Sequence, residues 1–122
     1  MYEIKFYEDR HGNKPTVKYI EKLREQSEIS KNERIKLKKI TEYMRILKKH
    51  GITCGEPYVK HIEGNIWELR PLRDRFFFFY WKDNNFVVLH HFVKKTNKTP
   101  RREIDQAKRN LDDFVERGGF DE

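Results

Sequence analysis

The spacing of apolar side chains divides the first half of the chain into one strand and two helices. Residues 2–7 alternate apolar and charged side chains, which is the two-residue period of a half-buried strand. Pro15 suits the first turn of a helix, Ser30 can cap a second helix, and Gly51 can end it. The apolar positions recur at spacings of three and four, at Val17, Ile20 and Leu23 in the first helix and at Leu37, Ile40, Met44 and Leu47 in the second.

From Pro57 onward the pattern changes to short runs separated by turn residues, which are typical of strands. We predict that these runs form an antiparallel meander of four strands. The predicted strands are residues 58–62, 66–70, 75–81 and 86–93. Positions 76–81 are aromatic throughout, so both faces of that strand should be covered. The strand should therefore lie inside the sheet and not at its edge.

A last amphipathic helix follows Thr99 and Pro100 and should end near Gly118 and Gly119. The resulting order is β-α-α-β-β-β-β-α. It predicts an α+β fold in which an antiparallel-rich sheet packs against helices. The sequence contains no internal repeat, linker or low-complexity tract, so we expect a single domain over residues 1–122.

Charge adds a candidate partner to this outline. The chain has 27 Lys and Arg against 20 Asp and Glu, a net charge of +7. The excess is concentrated in two segments, 31–49 and 94–109, and the first contains Lys36 and Lys39. Basic clusters attract phosphate polymers, so nucleic acid is the leading partner and an anionic membrane surface the second. The alternative is a solvated helix face without a partner.

Other compositional features exclude several classes of protein. Cys54 is the only cysteine, which rules out an intrachain disulfide and a cysteine-based zinc cluster. The N-terminus lacks the apolar core of a signal peptide, and no apolar run is long enough to cross a bilayer. We therefore expect a cytoplasmic protein. No metal-ligand pattern, glycine-rich phosphate loop or serine-hydrolase motif is present, so we predict neither metal nor cofactor.

Three arginines stand close together where one predicted strand ends and the next begins. Alternation in the strand 66–70 places Glu68 and Arg70 on one face, which we expect to point away from the core. Arg73 and Arg75 follow across a Pro-Leu corner. Guanidinium groups bind phosphate in a bidentate manner and can stabilise the charge of a phosphoryl transition state. The alternative is that these arginines pair with neighbouring acids or only border the strand.

A second group of polar residues closes the last predicted strand. Alternation allows only one of His90 and His91 to face a given side of the sheet. His91 could transfer protons, Lys94 could bind phosphate or act as acid or base, and Lys95 and Lys98 could hold RNA. The alternative is a packed histidine beside a solvated lysine patch. Metal-free RNA cleavage needs only such groups, because the 2′-OH of the substrate is itself the nucleophile.

The motifs at these two strand ends resemble one family. Trp67-Glu68-Leu69-Arg70, the aromatic strand and the segment from His91 to Pro100 are similar to the phage Gp49-like branch of HigB toxins, within the RelE/ParE superfamily. The resemblance implies a RelE-like fold and a type II toxin that enters the ribosomal A site and cleaves mRNA. It also implies a HigA-like helix-turn-helix antitoxin as partner. The toxin would then contact DNA only indirectly, through this antitoxin.

The resemblance also suggests roles for individual residues. Arg70 resembles the arginine that contacts the scissile phosphate in RelE-like nucleases, and Arg73 and Arg75 resemble the neighbouring basic position. The lysines after the last strand resemble the second basic cluster of the family.

The chain departs from RelE in lacking the tyrosine near the C-terminus, which Tyr80, Tyr58 or His91 could replace. This departure keeps open two alternatives, a ParE-like toxin that poisons gyrase and a basic module that binds nucleic acid without cutting it.

Overall fold

The computed structural model describes residues 1–120 and has the predicted element order. The elements are β1 (Glu3–Phe6), α1 (Pro15–Gln26), α2 (Lys31–His50), a 3₁₀ turn (Gly51–Cys54), β2 (Val59–Glu63), β3 (Ile66–Leu69), β4 (Asp74–Tyr80), β5 (Asn85–Val93) and α3 (Arg101–Glu116). The bounds of the predicted strands are correct to within one residue. Residues 121–122 of the predicted domain lie outside the part of the chain that the structure describes.

The five strands form one sheet in the order β1-β5-β4-β3-β2. Strands β2 to β5 are antiparallel neighbours, which confirms the predicted meander. β1 joins the other side of β5 in parallel, with Ile4 opposite Phe86. The aromatic strand β4 is central, and its side chains from Phe76 to Phe79 are 0–4% exposed. The expectation that this strand is buried on both faces is therefore confirmed.

Helices cover both faces of the sheet, which gives the molecule two apolar cores. On one face, side chains of α1 and α2 such as Leu23 and Ile40 pack against Phe76 and Phe78. On the other face, α3 packs through Phe114 and its neighbours against the remaining phenylalanines of β4. None of the three helices within residues 1–120 is both long and apolar enough to span a bilayer.

The two-sided packing corrects one prediction about β3. Glu68 was expected on a face that points away from the core, yet its side chain is 2% exposed. It lies opposite Phe77 of β4, whose side chain belongs to the core under α3. The prediction was wrong because strand alternation reveals which residues share a face, but not whether a helix covers that face.

The ends of α2 follow the sequence signals. The Ser30 hydroxyl accepts a hydrogen bond from the backbone N–H of Glu33, with an N–O distance of 3.4 Å. Gly51 ends the helix at φ 63°, and a Cβ at this position would lie 2.8 Å from the ring of Tyr2. Only glycine fits this backbone conformation and this close approach, so the predicted stop at Gly51 is confirmed.

A bulge in β5 changes which side chains face each helix layer. Phe77 pairs with His90 whereas Phe78 pairs with Val88, so Leu89 is an extra residue in the ladder. Leu89 and His90 consequently both lie on the α3 face. The Asn110 side chain of α3 donates a hydrogen bond of 2.8 Å to the carbonyl oxygen of Leu89. α3 thus stabilises the irregular backbone of β5.

Candidate functional site

Four charged residues meet on the α3 face, at the end of the sheet where β3 and β5 finish and β4 begins. We call Glu68, Arg70, Arg75 and Lys94 the cationic cluster. Nε of Arg70 lies 3.2 Å and Nε of Arg75 lies 3.8 Å from the same oxygen, Oε1 of Glu68. Lys94 follows the end of β5, where its backbone N–H bonds to Arg73, and its charge also acts on Glu68. Lys60 of β2 lies directly opposite Glu68 in the sheet, so four cations act on one buried carboxylate.

The backbone corner between β3 and β4 fixes Arg75 in place. Leu72 adopts φ 56° in this corner. Nη1 of Arg75 donates hydrogen bonds to the carbonyl oxygens of Leu72 and Asp74, with distances of 2.7 and 2.9 Å. The Arg75 side chain is only 10% exposed, whereas that of Arg70 is 24% exposed. Arg75 is thus an immobilised charge, and Arg70 is the arginine that a ligand in solvent can reach.

Arg73 connects the two strand ends through the backbone. The N–H of Lys94 donates to the carbonyl oxygen of Arg73, and Nε of Arg73 donates to the carbonyl oxygen of Lys94, both at 2.8 Å. These paired bonds hold the start of β4 against the end of β5. The sequence therefore brings the predicted arginine group and Lys94 to the same corner of the sheet.

Burial and mutual repulsion shape the electrostatics of the cationic cluster. Burial raises the pKa of Glu68, although the nearby charges of Arg75 and Arg70 oppose this rise. Burial, followed by the charge of Arg75, lowers the pKa of Lys94. A lysine shifted in this direction gives up its proton more readily than an ordinary lysine, which suits a proton donor.

The cationic cluster has unused hydrogen-bonding capacity. Four buried side-chain atoms within residues 1–120 have no hydrogen-bond partner, and three of them belong to this cluster: Oε2 of Glu68, Nε of Arg70 and Nε of Arg75. Both Nε atoms are close enough to Glu68 for charge attraction, but the N–H of Arg70 is not aligned for a hydrogen bond and Nε of Arg75, at 3.8 Å, is too distant for one. Unsatisfied buried donors cost free energy. A bound anion such as a phosphate oxygen would satisfy them and offset the excess of positive charge.

His91 lies on the opposite face of the sheet, within a second group of polar residues that we call the Asp74 cluster. Nε2 of His91 is 2.9 Å from Oδ1 of Asp74, and the Tyr19 hydroxyl donates to the same oxygen at 2.6 Å. The His91 and Tyr19 rings are stacked, with their centroids 3.9 Å apart. Nζ of Lys36 lies 3.9 Å from Oδ2 of Asp74. Two predicted site residues, His91 and Lys36, are thus brought together here, away from Arg70.

Competing effects set the ionisation of the Asp74 cluster. Burial alone would raise the pKa of Asp74, but hydrogen bonds from His91 and Tyr19, together with the Lys36 charge, outweigh it and lower that pKa. Burial, followed by the hydrogen bond to Asp74, raises the pKa of Tyr19. Asp74 is therefore a carboxylate at neutral pH and Tyr19 is a hydrogen-bond donor. The sequence-based alternative was that the arginines pair with Glu68 and Asp74. Arg70 and Arg75 do form ion pairs with Glu68, whereas the Asp74 carboxylate pairs with His91 and Lys36.

The two predicted tyrosines lie outside the cationic cluster. Tyr80 stands at the other end of β4, 49% exposed, and its hydroxyl accepts a hydrogen bond from the backbone N–H of Asn84. Tyr58 packs edge-on against Tyr43 of α2, with a centroid distance of 4.9 Å. Within residues 1–120 neither hydroxyl forms a hydrogen bond with Arg70, although the backbone N–H of Arg70 donates to the carbonyl oxygen of Tyr58 at 2.9 Å.

The remaining predicted RNA-binding lysines are divided between two places. Lys95 and Lys98 are exposed in the segment that joins β5 to α3, directly after Lys94. Lys39 lies on α2, where its Nζ is 3.5 Å from a carboxylate oxygen of Glu42. The first two extend the cationic cluster into solvent, and Lys39 belongs to the helix layer on the other face.

Three residues of the two clusters were not predicted as site residues. Glu68 and Asp74 carry a usable signal, because Glu68 interrupts the apolar run of β3 and Asp74 stands just before the aromatic run of β4. A charged residue in such a run needs partners, and those partners mark a polar site. Tyr19 gives no comparable signal in the sequence, since an aromatic residue in an amphipathic helix is ordinarily part of the core.

The comparison with protein families places these residues in context. No curated protein sequence matches the chain. The model of the family described as phage-derived protein Gp49-like matches residues 14–112, which include both clusters. That family comprises toxins of toxin–antitoxin systems and forms a RelE/HigB-type branch. Because the match covers most of the sequence, the chain belongs to the phage-derived Gp49-like family of RelE-like toxins.

Proposed function

We propose that this toxin is a metal-independent endoribonuclease that cuts mRNA on the ribosome and thereby stops translation and growth. The observation that carries the proposal is the convergence of Arg70, Arg75 and Lys94, from three different strand ends, around the single carboxylate of Glu68. Such a site suits the scissile phosphate of RNA, which gains negative charge in the transition state.

The chemistry follows from the properties of the cluster. The 2′-hydroxyl of the substrate loses its proton to solvent water as its oxygen attacks the adjacent phosphorus, which forms a 2′,3′-cyclic phosphate while the bond to the 5′-oxygen breaks. Arg75, held by two backbone carbonyls, and the more exposed Arg70 bind the non-bridging oxygens. Lys94, whose pKa is lowered, donates a proton to the departing 5′-oxygen. His91, on the other face, acts by positioning the start of β4 through Asp74.

The surroundings of the cluster suit a long RNA in the translation machinery. Lys95 and Lys98 continue the positive surface beyond Lys94 and would contact neighbouring phosphates. The net charge of +7 favours association with ribosomal and messenger RNA. In this proposal the toxin acts in the cytoplasm, is neutralised by a HigA-like antitoxin and meets DNA only through that antitoxin.

Substitution of Arg70 tests the site directly. We expect Arg70→Ala to lower the rate of mRNA cleavage in a translating extract by about a hundredfold or more, because one charged donor to the transition state is lost. The 5′ ends of the mRNA, mapped by primer extension, measure the cuts. Arg109→Ala is the matched control, since Arg109 is an exposed arginine on α3 that bonds only to Gln106 within the described chain.

The other outcomes of this experiment separate the competing functions. Equal cleavage by wild type and Arg70→Ala would show that the site lies elsewhere. Intact mRNA with blocked translation would indicate a module that binds nucleic acid without cutting it. Intact mRNA with trapped DNA breaks would indicate a toxin that poisons gyrase. Either result with the wild-type toxin would overturn the proposed activity.

A further inference from the structure

An apolar groove lies between α1, α2 and β1, on the face of the sheet opposite the cationic cluster. Its volume is about 790 Å³. The floor consists of apolar side chains that are only partly buried, namely Ile4, Phe6, Val17, Ile20, Leu37 and Met44. β1 is an edge strand, so within residues 1–120 no further strand continues the sheet beside the groove. A concave apolar surface of this kind is typical of a protein-binding site.

The rim of the groove is basic. Arg24, Arg45, Lys48 and Lys49 line it and are exposed, and Glu21 is the one acid among the lining residues. None of these four cations forms an ion pair within the described part of the chain. Their charges are therefore free to attract a partner that carries the opposite sign.

We infer that this groove binds an amphipathic, acidic segment of the antitoxin. An apolar floor requires apolar side chains from the partner, and the basic rim requires carboxylates beside them. RNA offers phosphates for the rim but nothing that would cover the aliphatic floor. A bilayer fits a protruding apolar face better than a concave one. A toxin–antitoxin family supplies a protein partner, and the inference rests on that membership.

The position of the groove has a consequence for the complex. α1 and α2 pack on one face of the sheet, and the cationic cluster lies on the other. A segment bound in the groove therefore makes its contacts without using Arg70, Arg75 or Lys94. Binding of the antitoxin and cleavage of RNA can consequently be tested by separate substitutions.

The decisive experiment reverses charge on the rim of the full-length toxin. The triple variant Arg45→Glu, Lys48→Glu, Lys49→Glu should bind the antitoxin encoded beside the toxin at least tenfold more weakly by calorimetry. The matched control, Lys18→Glu, Lys22→Glu and Lys38→Glu, makes the same change of charge at exposed positions of α1 and α2 that do not line the groove. We expect the control to bind within about threefold of wild type.

A second variant tests the floor of the groove. Val17→Asp places a carboxylate among the apolar side chains and should weaken antitoxin binding by at least tenfold, with thermal melting used to verify the fold. Hydrogen exchange of the wild-type complex should show protection of α1 and β1 on binding. The inference would be overturned if the rim variant and the control lost antitoxin binding equally, or if the antitoxin protected only the cationic cluster from exchange. It would also be overturned if the rim variant bound the antitoxin normally and lost only its binding to anionic lipid vesicles.

The readouts keep this inference separate from the proposed nuclease activity. Without antitoxin, the rim variant should cut mRNA at the rate of the control variant, which carries the same net charge, and should arrest growth even when the antitoxin is present. If the wild type cuts no mRNA, the proposed activity fails while the binding measurement still decides the role of the groove.

Discussion

Two acidic side chains near the same corner of the sheet differ in how their charges are compensated. Asp74 receives hydrogen bonds from Tyr19 and His91 and is 1% exposed. Glu68 is almost equally buried and attracts the Nε atoms of Arg70 and Arg75, but it accepts no hydrogen bond from either of them. Oδ2 of Asp74 has no hydrogen-bond partner within residues 1–120, but Oδ1 accepts two hydrogen bonds, whereas neither oxygen of Glu68 accepts one. Asp74 is therefore held more rigidly, and the unbonded arginine donors beside Glu68 are the groups that an anionic ligand can satisfy.

The contribution of the Asp74 cluster to stability can be measured by removing one hydroxyl. Tyr19→Phe leaves Asp74 buried with one donor fewer, so we expect the free energy of unfolding at pH 7 to fall by about 1–3 kcal/mol. Urea denaturation provides the measurement. Tyr58→Phe serves as the control, because within residues 1–120 the Tyr58 hydroxyl makes no hydrogen bond. A loss below about 0.5 kcal/mol for Tyr19→Phe would contradict the role assigned to this bond.

At the scale of elements, the end of α2 depends on two glycines with the same unusual backbone. Gly51 is the first residue of the 3₁₀ turn and Gly55 directly follows it, at φ 63° and 65°, with ψ near the extended region in both. A Cβ on Gly51 would meet the Tyr2 ring at 2.8 Å, while a Cβ on Gly55 would meet nothing within 4 Å. Substitutions at these two glycines therefore distinguish the cost of backbone strain, present at both positions, from the cost of a steric clash, present only at Gly51.

Alanine substitution at both glycines should give unequal losses. Gly55→Ala should cost about 1–3 kcal/mol of stability from backbone strain alone. Gly51→Ala should cost about 1–3 kcal/mol more, since the new methyl group displaces Tyr2 and the start of β1. Denaturant melts of both variants give the difference. Equal losses would mean that Tyr2 moves aside at little cost.

Periodicity predicted every helix and strand because each element obeys its own local rule of spacing. The choice of β5 as the parallel partner of β1 depends on long-range packing, which no local spacing encodes. In the candidate site, too, local spacing predicts some features and long-range packing determines others. Arg70 and Lys94 could be expected near each other since both follow the ends of strands, but the separation of His91 from them depends on which face it occupies.

At the scale of the molecule, a polar network joins the beginning of the chain to its last helix. The Tyr7 hydroxyl donates to Asp113 at 2.5 Å, and Arg10 and Arg117 donate to the same carboxylate at 2.7 and 2.8 Å. The hydrogen bond from Tyr7, followed by those from the two arginines, lowers the pKa of Asp113 to about 2. These contacts hold α3 against the segment that follows β1.

This network makes a prediction about pH. Because the pKa of Asp113 is lower in the folded state than its ordinary value of about 3.9, its stabilising effect is present above that value. The effect is lost as the pH falls towards 2. In an NMR titration, Tyr7→Phe should raise the pKa of Asp113, whereas Tyr80→Phe, at a hydroxyl bonded to a backbone N–H, should leave it unchanged. An Asp113 pKa near the ordinary value in the wild type would contradict the network.

The bulge at Leu89 has a consequence for how relatives of this chain are compared. Deleting one residue there would turn every later side chain of β5 to the other face of the sheet, so that His91 would face α3 and Lys94 would leave Arg70. In an alignment, a gap of one position in this strand therefore means that the later side chains of β5 face the other helix layer, and not merely that the strand is shorter. In relatives that differ by such a gap, the same sequence after the bulge would place its histidine and lysine on the opposite faces of the sheet.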